Sequence, residues 1–195
     1  MKAKWHRRAR VLLRPPTAKD GEEFARLNRA SRRLNRGLAA PPVTQGQFAA
    51  YRARCRRANY AGFLICRVAD GAIVGSVNLS EIVRGRFENA YLGYQVGAPF
   101  ARQGYMTEAL ALALRIAFGP LRLHRVEANI QPRNVASIAL VRRAGFRREG
   151  LSRRYLKIGG RWRDHERWAL LVEEWRANRR SRRMRGGQAR SSRRA

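Results

Sequence analysis

The segment QVGAPFARQGYMTEAL places Arg102, Gln103, Gly104 and Thr107 where an apparent strand turns into a helix. A short glycine-containing turn entering a helix leaves backbone N–H groups without intrahelical acceptors, and the helix dipole adds positive potential there. Such a turn can seat a phosphate. Arg102, Gln103 and Thr107 would add side-chain donors, and Gly104 would let a ligand approach the backbone. The pattern matches neither the nucleotide loop ending in Gly-Lys-Ser/Thr nor the dinucleotide glycine motif, and ordinary chain reversal remains an alternative. Asn134 and Ser137, three residues apart at the start of a short helical segment, form a second polar pair, for which helix capping is the alternative. Cys55 and Cys66, the two cysteines, fit neither a disulfide framework nor a zinc pattern, and no metal site or covalent nucleophile is implied. His124 reads as a surface residue at a strand entry.

Several elements must position these groups. ARVLLRPP suggests an opening strand, and TAKDGEEFARLNRASRRLN a helix with Phe24, Leu27 and Leu34 on one face. Residues 44 to 60 read as a second helix through Phe48, Tyr51, Cys55 and Ala58. An antiparallel meander is expected over residues 63 to 97, with ADGA as its first tight turn. From 104 to 118, Met106, Leu110, Ala113, Leu114 and Ala117 mark a helical face, ended by Gly119-Pro120. HRVEANI is a strand and QPRN a turn. Val135 to Ala144 is a helix with Asn134 as N-cap and Gly145 as left-handed C-cap. FRREG and RWRDHERWALLV complete the sheet around the KIGG turn, flanked by Tyr155 and Trp162.

This order, with RQGYMTEAL in the middle and HRVEANIQPRNVASIALVRRAGFRREG after it, resembles the GNAT (Gcn5-related) N-acetyltransferase superfamily. Within it the chain is most similar to the bacterial ribosomal-protein alanine N-acetyltransferases. The resemblance is strong over residues 92 to 170, extends over 10 to 91 and is absent beyond. It implies an α/β (α+β) GNAT fold, with a central mixed, mostly antiparallel sheet flanked by helices, and acetyl-CoA as cosubstrate without a metal. The pyrophosphate would sit on Arg102, Gln103, Gly104, Tyr105, Met106 and Thr107, and the pantetheine arm would pair with Tyr94, Gln95 and Val96. Asn134 would touch the cofactor and Ser137 would lie near the sulfur. Many members place a Tyr where this chain has Val141, which shifts the leaving-thiolate role to Ser137. Ala101 replaces a more usual Gln or Arg and removes one polar contact.

The resemblance further implies direct attack of an amine on the acetyl carbonyl, with strand-edge N–H groups near Val96 stabilising the oxyanion. Glu127 would relay deprotonation through water or hold the amine; an ion pair with one of the many arginines is the alternative. Tyr155 and Trp162 would shape the acceptor slot, or serve only as sheet aromatics. The acceptor expected is a protein N-terminal amine, the N-terminal alanine of a small-subunit ribosomal protein. An α-amine, with a pKa near 7.7 to 8.0, needs far less help to become neutral than a lysine at about 10.4.

A chain of 195 residues with 45% hydrophobic content can fill one core, expected over residues 10 to 175. Residues 176 to 195, RANRRSRRMRGGQARSSRRA, hold no acidic group and are expected to be a basic tail, disordered when unbound. No apolar run approaches the roughly 18 residues that span a bilayer, and the first residues lack a leader pattern, so a cytoplasmic protein without membrane contact is expected. The formal charge of +30, from 43 basic against 13 acidic residues, favours an acidic partner such as rRNA or the ribosome, although biased composition alone would also give it. It disfavours a polycationic acceptor. Two alternatives stay open: acetylation of a small amine, and a noncatalytic RNA- or ribosome-binding assembly factor on the same fold.

Overall fold

A computed structural model describes residues 9 to 38 and 40 to 191, with side chains through Ser181. Seven strands form one sheet: β1 (Val11–Arg14), β2 (Ala61–Arg67), β3 (Ile73–Val83), β4 (Asn89–Val96), β5 (Arg125–Ile130), β6 (Arg147–Ile158) and β7 (Arg161–Leu171). Their spatial order is β1-β2-β3-β4-β5-β7-β6. Only β4 and β5 run parallel; every other neighbouring pair is antiparallel. The helices are α1 (Gly21–Ala30), α2 (Gln45–Arg54), α3 (Tyr105–Phe118), α4 (Val135–Ala144) and α5 (Val172–Ser191). The expected mixed, mostly antiparallel sheet flanked by helices is therefore the architecture.

Strand alternation divides the interior into two cores. Leu64 faces α1 and α2, where Phe24, Phe48 and Tyr51 pack ring to ring, whereas its neighbour Ile65 joins the larger core beneath α3 and α4. On α3 the residues at helical spacing, Leu110, Ala113, Leu114 and Ala117, are buried as their pattern predicts. Thr44 caps α2 by accepting from the Gln47 N–H at 3.2 Å.

The first two helices are shorter than the sequence pattern suggests. α1 stops at Ala30 because the Ser31 hydroxyl donates to the Leu27 carbonyl (2.6 Å) and accepts from the Ala98 N–H (2.8 Å), drawing the chain into a loop over the sheet. α2 stops at Arg54 and turns into β2. At the other end, FRREG begins a strand of 12 residues that reaches the KIGG turn.

The feature that matters most for the site lies between β4 and β5. Their register runs only through Asn89–Arg125, Ala90–Val126 and Tyr91–Glu127. β4 stays paired with β3 out to Val96. Beyond Tyr91, then, β4 and β5 part and leave a wedge between Leu92–Val96 and the end of β5. Gly97 donates its N–H to the Val74 carbonyl at 2.8 Å, on the β3 side, so strand alternation turns the Val96 N–H toward the wedge.

Among the described residues no helix is long and apolar enough to cross a membrane. The backbone of residues 176 to 191 continues α5, where composition alone gives an expectation of disorder; residues 192 to 195 lie outside the described residues. Two features account for the helix: Glu173 and Glu174 sit in its positive first turn, and Trp175 packs against Phe118 with ring centroids 5.3 Å apart.

Candidate active site

The turn before α3 has the conformation its sequence requires. Gly104 is the N-cap at φ 84°, a left-handed geometry that glycine adopts without steric cost, and the Thr107 N–H closes on its carbonyl at 3.1 Å. The first-turn N–H groups of Tyr105 and Met106 have no intrahelical acceptor and point outward from the helix end. Arg10 supports the turn from behind. Its side chain donates to Glu108 at 2.7 Å and to the Gln103 carbonyl at 3.0 Å, and it stacks 4.9 Å over the Tyr105 ring.

This turn, the open part of β4 and the first turns of α4 enclose a cleft of about 660 Å³. Tyr94, Gln95, Val96, Arg102, Gly104, Tyr105, Met106, Thr107, Asn134 and Ser137, all singled out from the sequence, line it together. Gln103 does not: its amide folds back to donate to the Pro99 carbonyl at 2.7 Å, so its contribution is to hold the turn. Asn134 accepts from the Ser137 N–H at 3.2 Å, and the Tyr94 hydroxyl reaches across the wedge to the Ser137 carbonyl at 3.4 Å. Burial pushes the Tyr94 phenol up to about 12, so it stays protonated. The cleft thus offers a helix N-terminus at one end and an unpaired strand edge along one wall, with Arg102 and Arg143 at its rim.

A second cleft of about 490 Å³ opens on the other side of β4. Tyr94, Gln95, Asn134 and Ser137 line both clefts, as do Asn35 and Leu38 from the loop after α1. Sequence reasoning missed Asn35 and Leu38, since nothing local in LNRGLAAPP marks them. The loop is fastened over the wedge by its Gly37 carbonyl, which accepts from Gln131 and Arg133, each at 2.9 Å. Tyr91, also missed, lies in this second cleft beside Tyr155. A register shift between Ser152 and Leu156, with Arg154 at φ 47°, bulges β6 and turns Tyr155 inward. A hydrogen bond to Tyr155, aided by burial, pushes the Tyr91 phenol up to about 12.

Two expected residues stand elsewhere. Trp162 is 59% exposed on the β6–β7 hairpin opposite Lys157 and lines neither cleft. Glu127 is buried behind Tyr91, its Oε1 held by Arg125 Nε at 2.8 Å and its Oε2 by Arg167 Nη2 at 3.0 Å. Both of its oxygens thus lie on guanidinium groups, the ion pairing that its arginine-rich sequence allowed as the alternative. Burial pushes both cysteine thiols up, which disfavours thiolate chemistry. Among the described residues, no group of three His, Cys, Asp or Glu side chains is arranged to hold a metal.

A splayed parallel pair, a glycine-led helix N-terminus beside it and a polar second cleft sharing its wall therefore meet in one place. The acetyltransferase (GNAT) domain family profile matches residues 10–147, and the chain belongs to that family. YjcK of Bacillus subtilis (strain 168), described as a probable N-acetyltransferase, is 38% identical over 121 residues, covering 62% of this chain and 67% of that protein. The [ribosomal protein uS5]-alanine N-acetyltransferase of Escherichia coli (strain K12) is 43% identical over 103 residues, 53% of each chain. The chain therefore spans about half the length of that relative. Among solved structures, Mycobacterium smegmatis RimJ in complex with CoA-disulfide superposes with a TM-score of 0.76 at 31% identity, over 84% of this chain and 83% of that one.

Proposed function

We propose that the protein transfers the acetyl group of acetyl-CoA to a protein N-terminal amine, the N-terminal alanine of a small-subunit ribosomal protein being the acceptor favoured. The observation that carries this reading is the pair of clefts meeting at Tyr94, Gln95, Asn134 and Ser137, one suited to a phosphate-bearing thioester and the other to its acceptor. The identity to the E. coli alanine N-acetyltransferase supports the acceptor class.

Acetyl-CoA supplies an activated acyl group whose C–S bond breaks as the C–N bond to the amine forms. The chain's own residues bind and orient. The N–H groups at the start of α3, with Arg102 and Thr107, hold the pyrophosphate, while Gly104 allows close approach. The β4 edge from Tyr94 to Val96 aligns the pantetheine arm, and the Val96 N–H, turned into the wedge, donates to the acetyl oxygen as charge develops. Asn134 holds the first turn of α4 so that Ser137 faces the sulfur and passes a proton to the departing thiolate, regaining through water the proton that the amine gives up as the amide forms. Because an α-amine is near neutrality at physiological pH, no strong base is required, consistent with Glu127 being committed to two arginines. Glu127 instead fixes Arg125 and Arg167 beside the acceptor cleft, Tyr155 walls that cleft, and Trp162 lies outside it.

Mass spectrometry tests the reading. Acetyl-CoA is offered with an Ala-starting peptide that carries the N-terminal sequence of a small-subunit ribosomal protein, beside the same peptide blocked at its terminus with an internal lysine left open. Modification of the open terminus alone is expected. Modification of the lysine alone would overturn the acceptor assignment, and salt-sensitive RNA binding without turnover on any acceptor would favour the noncatalytic reading.

A further inference from the structure

Four buried side-chain polar atoms among the described residues have no hydrogen-bond partner: Asn35 Nδ2, Asn129 Oδ1, Arg163 Nε and Arg167 Nε. Leaving such a group unsatisfied is costly, and its recurrence at one place calls for a partner. Asn35 and Asn129 both line the second cleft, whereas the two arginines do not; the unpartnered amide atoms are themselves closed off from solvent, so a turn of each amide brings them to an occupant of the cleft. The two amides come from opposite walls. Asn129 stands on β5 one alternation beyond Glu127, on the face away from the main core to which Ala128 and Ile130 belong. Asn35 descends from the loop after α1 and also lines the first cleft, so it sits where the clefts join.

Their polarities are complementary to one particular chemical unit. The terminal residue of a peptide presents an amine, which donates, and within the same residue a carbonyl, which accepts. We propose that Asn129 Oδ1 accepts from the acceptor's α-amine while Asn35 Nδ2 donates to its first peptide carbonyl, so that this cleft selects a peptide N-terminus over an amine lacking that carbonyl. A simple amine or polyamine carries only donors and would leave Asn35 Nδ2 unpaired. Discrimination built on a buried group left without its partner is stronger than discrimination by shape alone. The cleft's charge agrees: among the described residues Glu81, at an exposed position, is the one carboxylate in its lining, too little to gather a polycation. The inference rests on the acetyl-transfer reading above.

The two asparagines predict different signatures. In the full chain at fixed pH, kcat/KM is measured for an Ala-starting tetrapeptide and for n-butylamine, so that the neutral fraction of each amine cancels between variants. Asn129→Leu is expected to depress both acceptors alike. Asn35→Leu is expected to lower the ratio of peptide to butylamine about tenfold, and Asn35→Asp, which keeps the size but removes the donor, to lower it similarly. Calorimetric titration of the tetrapeptide into the protein with CoA gives the same comparison without turnover, and thermal unfolding checks each variant's fold. Equal losses on both acceptors in the Asn35 variants, or none on either, would overturn the proposal and assign Asn35 to packing or to a buried water. A wild-type protein that neither acetylates nor binds the peptide would instead remove the acceptor reading beneath it.

Discussion

Ser137 has a side chain that can be separated from its backbone. Its N–H is held by Asn134 and its carbonyl by Tyr94, both through the backbone, and its hydroxyl adds one further hydrogen bond to the Tyr94 phenol. Ser137→Ala should therefore preserve the join between β4 and α4 while removing the proposed donor to the thiolate. Loss of a general acid costs on the order of 10²-fold or more in the chemical step. The expected outcome is a single-turnover rate reduced about 10²-fold with acetyl-CoA affinity within about twofold; equal losses in both would return Ser137 to a binding role. Gly104 makes the opposite prediction. A Cβ there would lie 3.0 Å from Arg10 Nη2, and the left-handed φ of 84° would strain any side-chain-bearing residue by about 1–2 kcal/mol. Gly104→Ala should weaken CoA binding about tenfold by calorimetry and lower the denaturation midpoint, with a smaller effect on the rate once acetyl-CoA is saturating.

At the scale of elements, the β1–α1 junction depends on one carboxylate. Asp20 accepts from Arg14 at 2.8 and 2.6 Å, from the Thr17 N–H at 2.6 Å and from its hydroxyl at 2.9 Å. Burial works to raise its pKa, but these bonds together outweigh burial and hold the carboxyl below the usual range. A depressed carboxylate contributes stability that is present above its unfolded value, about 3.9, and is lost as pH falls through the folded one. Asp20→Asn should then cost about 2 kcal/mol near neutral pH, since it strips a half-buried guanidinium of its partner, and the gap to wild type should narrow as pH falls below about 4. Urea melts at both pH values check this. The same contrast between local and distant chemistry explains what the sequence disclosed. The Gly104 turn, the Asn134 cap, the Gly145 stop and the 73–96 strands are set by residues within one turn or hairpin of each other. The insertion of β7 between β5 and β6 is not, nor is the loop that carries Asn35 to the clefts, because Ser31 meets Ala98 and Gly37 meets Gln131 only after the chain has folded. Glu127 is recognisable from the sequence as an anion among arginines, with Arg125 two residues away on the same strand, but its second partner Arg167 lies on β7 and emerges only from the strand register.

For the whole molecule, the net charge of +30 gives a positive field that extends beyond the proposed acceptor cleft and suits an acidic partner larger than a peptide terminus. α5 gives that charge a direction. Its first turns are anchored by Val172, by Trp175 on Phe118 and by Arg179 stacked 4.7 Å over Trp175. The residues after Ser181 add six arginines and no carboxylate side chain. Contacts between arginines and phosphates release counterions, so each should steepen the dependence of log K on log salt by roughly 0.7 for single-stranded RNA. A chain ending at Ser181 keeps the anchored turns and both clefts. It should acetylate a short Ala-starting peptide at the wild-type rate, yet bind small ribosomal subunits less tightly at low salt and with a shallower salt slope. Filter binding over a salt series, run beside the peptide assay, separates the two effects. A slope unchanged by truncation would move the RNA-facing charge to the arginines of β6 and β7, which border the acceptor cleft, whereas loss of peptide acetylation would mean that the distal helix supports the catalytic fold itself.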